Sequence, residues 1–91
     1  NPYINMEPTI GRIVIYNTTK SQQRAIEAAN RFNGLLNCNV QKQLPAMIVA
    51  VWGPECVNLK VTNDGNVADL WVTSATCGNQ PGQWEWPVIK K

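Results

Sequence analysis

Short apolar or alternating runs punctuated by Gly, Pro and Asn recur along this chain, and one segment follows a helical period instead. Gly11-Arg12-Ile13-Val14-Ile15-Tyr16 is rich in β-branched residues and bounded by Gly and Asn, which predicts a strand. Its unbroken apolar character predicts cover on both faces. Thr19-Lys20-Ser21-Gln22 has capping-box spacing: a hydroxyl able to accept from a first-turn amide, and a Gln able to reach back. Ala25, Ala28, Ala29, Phe32, Leu35 and Leu36 then recur at three- and four-residue steps, opposite Arg24, Glu27, Asn30 and Arg31. This stripe is expected to lie against a sheet. Asn33-Gly34 supplies a stop, unless Leu35 and Leu36 extend the helix by a turn. A surface helix that binds a partner is the alternative.

The remainder reads as strands. Residues 45–52 form a second, nearly continuous apolar run that ends at the Gly53-Pro54-Glu55 turn. Cys56-Val57-Asn58-Leu59-Lys60-Val61 alternates, with Val57, Leu59 and Val61 inward and Asn58 and Lys60 outward. Asn63-Asp64-Gly65-Asn66 is a hairpin-turn signal, because Gly and Asn tolerate positive φ. Leu70-Trp71-Val72-Thr73 opens a fourth strand, and residues 78–82 loop to a fifth near residues 83–86. Five short strands with one helix after the first predict a mainly β (α+β) fold: a small, SH3-like, partly open five-stranded barrel. Residues 1–5 precede a natural start at Met6 and are read as a disordered lead or expression remnant, with residues 6–91 as one barrel domain.

Composition narrows the classes. A single domain of 91 residues buries only about 60–65% of its unfolded surface, so a homo-oligomer sharing core surface is expected. The net charge of +2 comes from scattered Lys and Arg, without the basic stripe of a duplex-DNA binder; it also weighs against a single-strand nucleic-acid binder. Cys38, Cys56 and Cys77 are odd in number and widely spaced, and with no His they cannot assemble a structural zinc site. They read as small buried hydrophobes. No apolar run approaches a membrane span, and Asn17-Thr18-Thr19, though a sequon, reads as coincidence.

Four tryptophans beside no histidine favour a protein that holds something over one that transforms it. Trp84 and Trp86 share one side of an extended strand, with Glu85 on the other. In a core the two rings fill space. On a rim they make a platform, where stacking is worth about 1–3 kcal/mol per base. Arg12 opens a strand where a guanidinium can fork onto phosphate or carboxylate. Lys60 and Asn58 share a polar strand face, Thr73 and Ser74 add hydroxyls, and Tyr16 and Trp71 complete the candidate ligand-binding set. Each alone is commonly a surface or core residue. No catalytic constellation is recognisable: a nucleophilic Cys would lack its imidazole, the six carboxylates show no selected pair, and no phosphate-cradling Gly-rich loop is present. No cofactor or metal is expected.

The order Gly11-Arg12-Ile13-Val14-x-Tyr16, Pro45-Ala46-x-Ile48-Val49-x-Val51-Trp52, Cys56-Val57-Asn58-Leu59-x-Val61, Trp71-Val72-Thr73-Ser74 and Pro81-Gly82-x-Trp84-x-Trp86-Pro87 resembles a widespread set of small proteins of tailed bacteriophages and prophages. It spans nearly all of residues 11–87. Members often carry His where this chain has Glu85 or Ile15, so no histidine role carries over. The resemblance implies a phage origin and action in the host bacterial cytoplasm or in the virion. Combined with the aromatic and basic residues, it leads to the expectation of a non-catalytic sponge. Such a protein would sequester a small anionic, nucleotide-derived host immune signal of the cyclic-oligonucleotide or ADP-ribose type. The alternative is a virion accessory or a protein-interaction module such as a host-protein inhibitor.

Overall fold

A computed structural model describes residues 6–32, 34 and 37–88. The elements run β1 (Ile13–Asn17), α1 (Lys20–Phe32), β2 (Cys38–Asn39), β3 (Gln43–Val51), β4 (Cys56–Val61), β5 (Asp64–Gly65), β6 (Leu70–Thr76) and β7 (Trp84–Glu85). Five of them form one antiparallel sheet in the order β6-β4-β3-β1-β7, and β2 pairs with β5 in a second, two-stranded one. The large sheet is mainly a meander, with the last strand returning beside the first, and it curls into a half-barrel. A parallel bridge between Cys77 and Trp84, with Gly78 N–H donating to Trp84 O at 2.8 Å, brings the two outer strands together at one end. The expected mainly β, SH3-like open barrel with one helix after its first strand is the architecture observed.

Alternation explains the interior. Val14 and Tyr16 of β1, Leu44, Ala46 and Ile48 of β3, Val57, Leu59 and Val61 of β4, Ala75 of β6 and Trp84 of β7 form one buried cluster. Burying a large aliphatic side chain contributes about 1.5–3 kcal/mol, so the β3–β4 pair carries much of the core. Trp84 is 1% exposed, and its Nε1–H is shared between Ala75 O (3.0 Å) and Glu55 O (3.2 Å). The ring thus fills the interior while its one polar atom is satisfied.

The capping box forms as read. Gln22 N–H donates to Thr19 Oγ1 (3.1 Å) and Thr19 N–H donates to Gln22 Oε1 (2.9 Å). Tyr16 Oη–H adds a third bond to Gln22 Oε1 (3.1 Å), anchoring the helix start to the core. The helix phase differs from the expectation. Ile26 is the buried residue, while Ala25 and Phe32 are exposed; Asn33, Leu35 and Leu36 lie outside the described residues. The inward side includes Gln22 and Asn30, whose Nδ2–H donates to Cys38 O at 2.8 Å. The helix is therefore held by polar bonds to β1 and β2, a signal that an apolar count does not register. It leaves the sheet's convex side open.

Two further expectations shift. Asp64 and Gly65 form a strand against Asn39 and Cys38 instead of a bare hairpin turn. Gly65 is required there: at φ +142 its missing Cβ would overlap the Asn37 carbonyl oxygen. The cover expected on both faces of β1 is also absent, because Ile13 on its outer side is 49% exposed. Asn17, the first residue of the sequon, is buried. Its Nδ2 donates to Gln83 O (3.1 Å) and Glu85 Oε2 (3.0 Å), and its Oδ1 accepts from Gln43 (2.9 Å). That side chain serves the fold by joining β1, β3 and β7.

Candidate functional site

The nine expected ligand residues separate into three places. Tyr16 and Trp84 belong to the core, each facing the barrel interior across the β1–β7 pair. They present no ring to a ligand, which corrects the reading of both as contact residues. The cause is register: Tyr16 pairs with Trp84, so period-two alternation turns both inward.

Arg12 and Trp86 meet at one mouth of the barrel. Trp86 is half-buried, edge-on to Trp84 with centroids 5.3 Å apart and planes at 87°. The Arg12 guanidinium carbon lies 5.9 Å from the Trp86 ring centroid, and Arg12 Nε–H donates to Thr9 Oγ1 at 3.0 Å. This is a cation–π contact at the outer limit of its range. The two C-terminal rings do share a side, but they stack on each other's edges instead of forming a flat platform.

Asn58, Lys60, Trp71, Thr73 and Ser74 gather on the outer face of the sheet. Its organiser is Asn58, a buried residue on β4 beside a register shift between Val57 and Leu59. One atom, Asn58 Oδ1, accepts from Trp52 Nε1–H (2.9 Å), Thr73 Oγ1–H (3.1 Å) and Ser74 N–H (2.8 Å). Ser74 sits at φ +55, a left-handed backbone that non-glycine residues adopt at some cost. The Asn58 bond holds it there and sets the bulge.

Registers across four strands then build a row. Ile13 pairs with Met47, Met47 with Lys60, and Lys60 with Trp71. Trp71 is 62% exposed, Met47 45% and Ile13 49%, and Trp52, tethered to the same face, is 67% exposed. Trp52, Met47 and Ile13 were not among the expected site residues. Their signal was the two apolar runs, within residues 11–16 and 45–52, of which only the first was expected to be covered on both faces. The polar groups between the rings are already engaged with one another, leaving Lys60 as the open charge of the row.

The best-formed depressions lie elsewhere. One, of about 360 Å³, is lined by Glu7, Pro8, Val51, Gly53 and Pro54. The other, of about 260 Å³, runs between Lys20, Gln23, Lys42 and Asn79. Neither contains any of the nine expected residues. Among the described residues no cluster of three or more His, Cys, Asp or Glu gathers, and no helix is long and apolar enough to cross a membrane. The three thiols are free; burial first, then Asp64, pushes that of Cys38 up, and burial, Glu55 and Glu85 raise that of Cys77. No known protein family, curated protein or solved structure matches this chain, so the phage resemblance stands on its motifs alone.

Proposed function

We propose that this protein is a non-catalytic binding module whose working surface is the outer sheet face, and that its partner is another protein. The carrying observation is the row Ile13–Met47–Lys60–Trp71 with Trp52 beside it. Taking an aromatic side chain as ~150–250 Å², these four apolar residues expose on the order of 450 Å² together. That matches the largest apolar patch on a typical monomeric protein, which is often a functional one. Trp is among the commonest interface anchors, and a lone Lys set among apolar neighbours calls for a carboxylate opposite. In the phage setting that the motifs imply, the partner is a virion component or a host protein.

The test is affinity capture from infected cells with the wild-type chain, Met47→Glu and Lys60→Glu side by side. A partner held by the wild type and lost with Met47→Glu supports the proposal, more so if a Lys placed at the partner's carboxylate restores binding to Lys60→Glu. Equal capture by all three would discard it. The adjacency of Trp71 and Lys60 favours a second reading: a stacking ring beside a cation suits a nucleotide-derived signal. Calorimetry with cyclic dinucleotides and cyclic ADP-ribose isomers addresses it, and binding no tighter than micromolar to every member would remove the sponge.

A further inference from the structure

The two edges of the five-stranded sheet are treated differently. β7 is two residues long, with Pro87 close behind it. β6 runs for seven residues, Leu70-Trp71-Val72-Thr73-Ser74-Ala75-Thr76, with no charge and no proline. Among the described residues it is paired as a strand with β4 alone, beyond the bridge at Cys77. Natural proteins blunt open edges by shortening them, charging them, adding Pro or bending them with a bulge. β7 is blunted by its length. On β6 the bend at Ser74, whose amide is turned to Asn58 of its own chain, and the Trp84 indole bonded to Ala75 O interrupt the far end of the edge. Residues 70–73 remain regular.

We propose that two copies of this chain join edge to edge along β6, antiparallel about a two-fold axis at Val72, to make one ten-stranded sheet. Such an interface is isologous, so every contact occurs twice. Trp71 then lies beside Thr73 of the partner subunit on the outer face, and the two Ile13–Met47–Lys60–Trp71 rows become one surface. Charge selects a second copy in this arrangement. The edge is uncharged, so pairing it with itself brings no like charges together, whereas stacking the two outer faces would turn Lys60 toward its own counterpart. The area fits a modest dimer. Two Trp71 rings with the paired edge residues bury on the order of 800–1,000 Å², the lower end for specific interfaces. The association is accordingly concentration-dependent. It does not require the outer-face partner; it extends the face that would receive one.

Sedimentation equilibrium of the full chain, from low micromolar to near-millimolar concentration, tests this. The expected result is a monomer–dimer equilibrium. Trp71→Glu places a carboxylate across from Lys60 of its own chain, which favours the folded monomer, and should weaken the dimer by about tenfold or more. Hydrogen exchange on the unmodified protein gives an independent reading, with those amides of residues 70–73 that point away from β4 becoming more protected as concentration rises. A chain that stays monomeric throughout overturns the proposal, as does a dimer whose β6 amides gain no protection. A dimer broken by Met47→Glu but indifferent to Trp71→Glu would mean face-to-face stacking and also overturns it.

Discussion

Replacing Asn58 with Ala should cost far more than an outward-facing strand position ordinarily would. The substitution deletes the single oxygen on which Trp52 Nε1–H, Thr73 Oγ1–H and Ser74 N–H converge. A typical intramolecular hydrogen bond contributes about 0.5–1.5 kcal/mol net. The Trp52 and Thr73 donors belong to exposed residues and regain water, so they count at the low end; the Ser74 amide, held in a left-handed bend, counts at the high end. The total is about 2.5 kcal/mol. For a domain of this size that is a fall in Tm of roughly 10–20 °C, at ~4–8 °C per kcal/mol. Asn58→Asp keeps the acceptor and should stay within about 1 kcal/mol of the parent, whereas Asn58→Leu, similar in bulk but without an acceptor, should match Ala or exceed it. Urea unfolding followed by far-ultraviolet circular dichroism gives the midpoints and slopes. The reasoning fails if Asn58→Ala lies within ~0.5 kcal/mol of the parent, or if Asp is as damaging as Ala.

Other expectations follow from single contacts. Trp84→Phe removes the donor shared by Ala75 O and Glu55 O and empties part of the core, a loss of about 2–3 kcal/mol by the same assay; a loss below ~1 would show that the ring's bulk and bonds are dispensable. Gly65→Ala forces a Cβ into the Asn37 carbonyl at φ +142 and should cost about 2 kcal/mol or more, measured by thermal unfolding; an unchanged Tm would mean the β2–β5 pair readily shifts. In mildly alkaline buffer, iodoacetamide followed by peptide mass spectrometry should find Cys38 the slowest thiol. It is buried, and its thiol is raised by that burial and by Asp64, so little thiolate is present. Alkylation of Cys38 ahead of Cys56 would contradict its placement.

Local chemistry was the legible part of this sequence. The Cys56–Val61 run matched the bounds of β4, although Asn58 is buried beside a register shift, and Thr19 with Gln22 closed the box that their spacing predicted. Such features depend on neighbours within a few residues. What escaped depends on partners far along the chain. Whether Trp84 and Trp86 face a core or a rim is set by pairing between Tyr16 and Trp84, 68 positions apart in the Asn17–Glu85 bond beside it. The outer row exists only because Lys60 is opposite both Met47 and Trp71, a register that no single strand records. The helix phase was misread for another reason: Gln22 and Asn30 turn inward to make bonds, and a hydrophobic stripe assigns such residues to solvent.

The pairing of β1 with β7 has a consequence for how the chain is born. Among the described strands, the first to leave the ribosome has as one of its two neighbours the last of them to be made. The successive hairpins from β3 through β6 can assemble from nearby segments as they emerge, but the seam at Cys77 and Trp84 must wait until β7 has emerged. Until then Tyr16 lacks the indole that lies against it, and the nascent protein is an unsealed trough whose apolar lining faces the crowded cell.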